Sequence, residues 1–142
     1  MPFIQETELV DFDARAALEA ARDAGGDGVR SFVEFTADEF RTLYVDDGIL
    51  SMYRDEEHLR EHYERVLDHL NMDFLEREAY EQTLLPNAGR VRSIVTQMED
   101  LTLLRVLHGD HGLYIALDPE VSIVDVTDSV ETVMETGSGG AD

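Results

Sequence analysis

The sequence predicts a single α+β domain in which an antiparallel sheet of about five strands is packed by helices, in the order α-β-β-α-(α)-β-β-β-α. Three observations lead there. Two stretches place apolar residues at helical spacing. Five strand-length apolar runs fall into two blocks, and the short links inside each block make the pairing antiparallel. The 142 residues, 43% of them apolar, are enough for one core, since a domain of this size hides roughly two-thirds of its unfolded surface.

The elements follow in chain order. Residues 1–11 read as a loose lead-in to a domain spanning 12–136. A helix is expected over 13–23, where Ala16, Ala17, Ala20 and Ala21 are strong helix formers and Leu18 adds bulk. Residues 24–28, Ala-Gly-Gly-Asp-Gly, end it in a turn. Strands are expected over 29–36 and 39–46, with Ala37-Asp38 as a hairpin link and Asp46-Asp47-Gly48 closing the pair. A long helix then reads from 54 to 70, with Asp55 as N-cap and Leu59, Tyr63, Val66, Leu67 and Leu70 as its apolar stripe. Asn71 is the expected end of that helix. A separate short helix follows over 73–84, stopped by Pro86-Asn87-Ala88-Gly89. Strands are expected over 90–98, 101–107 and 112–118. The last segment, 119–135, reads either as a strand through Val121, Ile123 and Val124 or as a closing helix through Val124, Val130, Val133 and Met134. Residues 137–142 read as a disordered tail.

Composition narrows the habitat. The chain has 32 acidic residues against 11 basic ones, a formal charge of -21, and every basic residue is arginine. Such self-repulsion is felt across roughly 30 Å at low salt and about 3 Å near 1 M. The acids are spread along the chain, so they form a solvated coat around a folded core. Arginine, whose guanidinium is weakly hydrated, is kept where lysine is not. A high-salt cytoplasm is the expected setting. With no cysteine, disulfides, thiolate metal sites and cysteine nucleophiles drop out. No apolar run is long enough for a membrane span, and the start does not read as a signal peptide. The charge sign opposes binding to nucleic-acid phosphates.

The element order resembles the roadblock and profilin-like architectures. The chain also resembles an uncharacterised family of small acidic proteins from halophilic archaea. That resemblance runs over about 29–118 and rests on Thr42-Leu43-Tyr44-Val45-Asp46-Asp47, on Glu81-Gln82-Thr83-Leu84-Leu85 and on the Gly109-Asp110 turn. It implies a fold and no activity.

Few residues group by chemistry. His58, His62 and His69 fall on one helical line with Arg65, and His58 with His62 has metal-pair spacing. The acid does not stand where a His-Glu-x-x-His site needs it, and Arg65 repels a cation. His108 and His111 flank the Gly109-Asp110 turn, either as a metal or acid–base pair or as ordinary hairpin residues. No serine sits in a Gly-x-Ser-x-Gly elbow, and the glycines after the first helix do not open one, as a phosphate loop would. The strands of the second block look apolar on both faces, so helices, a second copy or a partner must cover the second face. Arg90, Arg92 and Arg105 are candidates for pairing with partner carboxylates, and Tyr44 and Tyr114 for lining a ligand or partner surface.

These readings favour a non-enzymatic interaction or regulatory module, with a protein partner or a homodimer and no cofactor, nucleic acid or membrane. A small-ligand sensor domain and a metal-dependent enzyme using the helix histidines are the alternatives.

Overall fold

Asp13 caps the first helix by accepting from the Ala16 amide at 3.0 Å. Helix α1 (Ala14–Gly25) then runs to Gly26, whose φ of 61° suits glycine at a helix end. The computed structural model describes residues 3–4 and 13–137. A 3-10 turn leads into β2 (Val29–Thr36), which hairpins into β3 (Phe40–Val45). The short strand β1 (Phe3–Ile4) pairs antiparallel with the end of β3, Phe3 opposite Val45 and Ile4 opposite Tyr44. The start of the chain was expected to be a loose lead-in, so this strand is a correction. The rest of the lead-in and the tail beyond Gly137 lie outside the described residues.

Asp46 accepts from the Ile49 amide at 2.8 Å, which turns the expected hairpin closure into one turn of helix, α2 (Asp47–Leu50). Helix α3 (Glu56–Ala79) follows, capped by Asp55 on the His58 amide at 2.8 Å and ending in a π turn over Tyr80–Leu84. Two helices broken at Asn71 were expected; there is one. No glycine or proline interrupts Glu56–Ala79, and the buried Leu70 and Asp73 on either side of Asn71 hold the turn in place. Asn71 Oδ1 is buried without a hydrogen-bond partner, so packing overrides a local preference that would have ended the helix.

Strands β4 (Ser93–Gln97), β5 (Thr102–His108) and β6 (His111–Leu117) complete an all-antiparallel sheet in the order β1-β3-β2-β6-β5-β4. The five expected strands are all present. The ambiguous last segment is a helix, α4 (Ile123–Gly137), whose start is marked by Ser122 Oγ accepting from the Asp125 amide. Its valines are compatible with a strand. What selects the helix is the surface of α1, where Ala14, Ala17, Leu18 and Ala21 form a flat buried stripe against which Val126, Val130 and Met134 pack.

The sheet separates two cores. Phe32, Leu43, Leu104, Leu113, Ile115 and Leu117 face α1 and α4. Val33, Phe35, Leu103, Leu107 and Tyr114 face α3. The two-sided apolar pattern of the strands is therefore met by helices of the chain itself. The structure is a single-domain α+β fold of roadblock element order.

Close approach sets one position. An added Cβ on Gly112 would lie 2.5 Å from Cζ of Phe35, a fully buried ring packed at 5.6 Å against Phe74. Gly112→Ala is expected to cost about 1–3 kcal/mol in urea unfolding through overpacking, and Phe35→Leu in the same chain should return part of it. A neutral Gly112→Ala would mean that the ring moves freely.

Candidate functional site

The residues expected to share a site are distributed over both faces of the sheet. Tyr44 faces α1, 5% exposed, with the Arg22 guanidinium 4.5 Å above its ring. Tyr114 faces α3, 8% exposed, edge-on to Tyr63 at 6.4 Å. Successive strand residues point to opposite faces, and the two tyrosines fall on different ones. They line no common pocket, and burial removes both from the surface, which corrects their reading as ligand or partner contacts. Burial also pushes the Tyr114 phenol up to about 12 and raises Tyr63 and Tyr53. All three stay neutral near pH 7 and supply no phenolate base.

All three arginines pair within the chain, although only Arg105 lies in a strand: the strand expected over 90–98 runs Ser93–Gln97, and Arg90 and Arg92 precede it. Arg92 grips Glu131 with its Nε at 2.9 Å and reaches Asp128 at 3.1 Å, and both carboxylates lie on α4. Those carboxylates raise its pKa, Glu131 first. Arg90 approaches Glu131 at 3.6 Å and Glu135 at 3.5 Å. Arg105 donates to Asp73 of α3 at 2.9 Å, to Thr96 Oγ1 at 2.9 Å and to the Leu103 carbonyl at 2.8 Å. These cations tie β4, the segment before it and β5 to the helices on either side; Arg105 is enclosed by its contacts, while the Arg90 and Arg92 side chains stay about half exposed.

The histidines form two separate groups. His58 and His62 lie against Tyr53, with ring centroids at 5.2 and 5.1 Å. His58 Nδ1 accepts from the Arg54 amide at 3.0 Å, which aims that nitrogen at the backbone. His69 is exposed farther along α3. His108 and His111 pair across the β5–β6 turn. Arg77, near the far end of α3, donates to the Gly109 carbonyl of that turn, and from His62 to Arg77 the helix rises roughly 20 Å. The two groups do not converge. Among the described residues, no three His, Asp or Glu side chains gather as a metal would need.

The exposed apolar residues went unread in the sequence. Met72 and Leu75 are 62% and 67% exposed on α3. They stand opposite Leu70 on the helix, at about 200° and 140° by the helical repeat. Toward its start, the same outer face carries Glu57, Glu61, Glu64 and Asp68. Leu84 and Leu85 follow the helix, and the edge strand β4 adds Val95, with Met98 just after it, all exposed. The Asp73–Arg105–Thr96 contacts link this part of α3 to β4. The available signal was the break in an acidic outer face at Met72 and Leu75.

Comparison places this geometry among known proteins. The model of a family described as "Domain of unknown function (DUF7522)" matches residues 15–136. A roadblock/LC7 domain from Streptomyces avermitilis superposes with a TM-score of 0.56 at 12% identity, covering 91% of this chain and 93% of that one. A structure described as MglB with tetrameric arrangement gives 0.52 at 19% identity, covering 91% and 88%. Among curated proteins, no sequence match was found. At these identities the likeness shows the roadblock/LC7 fold alone.

Two predictions follow from the site. The side chains of Arg105 and Asp73 are 11% and 10% exposed, so Asp73→Ala or Arg105→Met should each cost about 3 kcal/mol by leaving one charge buried and uncompensated. The double replacement should cost less than the sum; strict additivity in urea unfolding would show that the pair does not interact. For His62, burial, with Arg65 and then His58, lowers the pKa, so the fold prefers the neutral ring and the unfolded chain takes the proton first. The stability from this group is full above about pH 6.5 and is lost as pH falls below that value. Between about pH 8 and pH 5 the thermal midpoint should fall further for the natural chain than for His62→Gln, and parallel profiles would remove His62 as the cause.

Proposed function

This chain belongs to the family described as "Domain of unknown function (DUF7522)", and we propose that it is a non-enzymatic interaction or regulatory module that works by self-association or by docking a protein. One observation carries the reading. Met72 and Leu75 stand more than three-fifths exposed on α3, Val95 and Met98 are exposed on and just after β4, and β4 is an edge strand that pairs on one side only among the described residues. An open strand edge offers unpaired amides and carbonyls to another chain, and a neighbouring apolar patch gives that contact a dry centre. The MglB of similar fold, described in a tetrameric arrangement, supports assembly through this architecture.

The setting we propose is the cytoplasm of a salt-adapted organism. A formal charge of -21 opposes association of two copies at low salt, and screening relieves it as the Debye length falls to about 3 Å near 1 M. No described helix is long and apolar enough to cross a membrane.

Light scattering after size exclusion tests the proposal. At molar salt the natural chain is expected at a multiple of its 16.0 kDa mass, or with a stoichiometric partner when captured from its host at that salt. Met72→Glu with Leu75→Glu should return it to a monomer or release the partner. Its thermal midpoint should barely change, because exposed substitutions usually shift stability by within about 0.5 kcal/mol. A strict monomer with no partner at high salt would end this reading.

A further inference from the structure

A second surface lies at the other end of α3. A groove of about 1530 Å3 opens between β3 and the first half of that helix. Its floor is apolar and aromatic: Phe40, Tyr53, Leu59, Tyr63 and Leu67. The Phe40 and Tyr63 rings meet at a 43° tilt with centroids 5.8 Å apart, so the floor is shaped by packed rings. Its rim carries Glu39, Asp55, Glu57 and Glu61, and its lining holds more than twice as many carboxylates as guanidiniums. Of the guanidiniums, Arg60 already pairs with Glu64 at 3.5 Å.

We infer that this groove docks a segment of another protein that carries arginine or lysine beside apolar side chains. Size decides the class of occupant, because small-molecule pockets run to about 300–1,000 Å3 and this groove exceeds them. Charge decides the composition. A rim with excess carboxylate selects a cationic strand or helix and repels like charge. A second copy of this chain, with 32 acids against 11 basic residues, would mostly bring like charges into direct contact with that rim, the range that screening leaves intact. The rim also disfavours residues 5–12 of this chain, which bring Glu6, Glu8 and Asp11 and no basic residue. The apolar floor supplies the part of the affinity that survives salt, while the rim supplies the selectivity. This docking is separate from the self-association face at Met72 and Leu75.

Fluorescence anisotropy with a short labelled synthetic peptide alternating arginine and leucine tests it, against an arginine–serine peptide of equal charge. The full chain at molar salt should bind the arginine–leucine peptide about tenfold more tightly than the control. Tyr53→Ser, which takes an aromatic anchor from the floor, should weaken that binding about tenfold. Glu57→Arg with Glu61→Arg, at exposed positions, should weaken it by a smaller factor, about threefold, because at molar salt the rim acts only on charges in direct contact with it. Met72→Glu with Leu75→Glu should leave it unchanged. Equal binding of the two peptides would overturn the inference, since the acidic coat alone would then explain it. So would binding untouched by both groove variants, or binding lost with the Met72 and Leu75 pair.

Discussion

A sheet whose central strands are apolar on both faces has to be covered twice. In β2 and β6, Phe32, Leu113 and Ile115 point one way and Val33, Phe35 and Tyr114 the other, all of them 8% exposed or less. Each buried large apolar side chain contributes about 1.5–3 kcal/mol relative to exposure, so a wet face on either side would forfeit much of the core. The helices are arranged around that demand. α1 and α4 share one face, and their contact depends on the small Ala14, Ala17 and Ala21. The single long α3 covers most of the other face, with Ile49 and Leu50 of α2 beside it. A helix ending at Asn71 would leave Phe35 without Phe74 and Arg105 without Asp73.

With few cations in an acidic chain, their positions matter. Arg30 joins β2 to Asp46 at the end of β3 and to Asp118 after β6, and Asp46 is the chief cause of its raised pKa. Arg92 binds the approach to β4 to α4, and Arg105 binds β5 to α3. Each sits where two elements meet, at a point that a carboxylate can neutralise, while many remaining acids face solvent. Exposed pairs of this kind contribute about 0–1 kcal/mol; the Arg105–Asp73 pair differs because it is enclosed.

Surface chemistry then concentrates on α3. Its inner stripe is committed to the sheet, and its outer face changes from carboxylates to Met72 and Leu75 along its length. One helix thus borders an acidic groove at its start and an apolar patch near its end. The fold does not dictate either feature, since a roadblock sheet needs only the inner stripe. Surface choices beyond that need are where a shared fold is given a particular function.

Much of the fold was legible. Strand runs such as Val29–Thr36 and Thr102–His108, the capping aspartates Asp13 and Asp55, and the Gly109 turn are local patterns, and local physics decides them. The site was less so. Tyr44 and Tyr114 were taken as neighbours, but only the pairing register shows that they face opposite ways. Arg90 and Arg92 were taken as outward cations, but only the docking of α4 shows them neutralised. By itself, the sequence determined the acidic coat, the five main strands and the helical stripes, because composition and periodicity act within a few residues. Only the tertiary structure decided that 123–137 is helix, that α3 runs unbroken past Asn71, and which side chains remain at the surface. Those outcomes depend on contacts between residues far apart in the chain, and no local propensity encodes them.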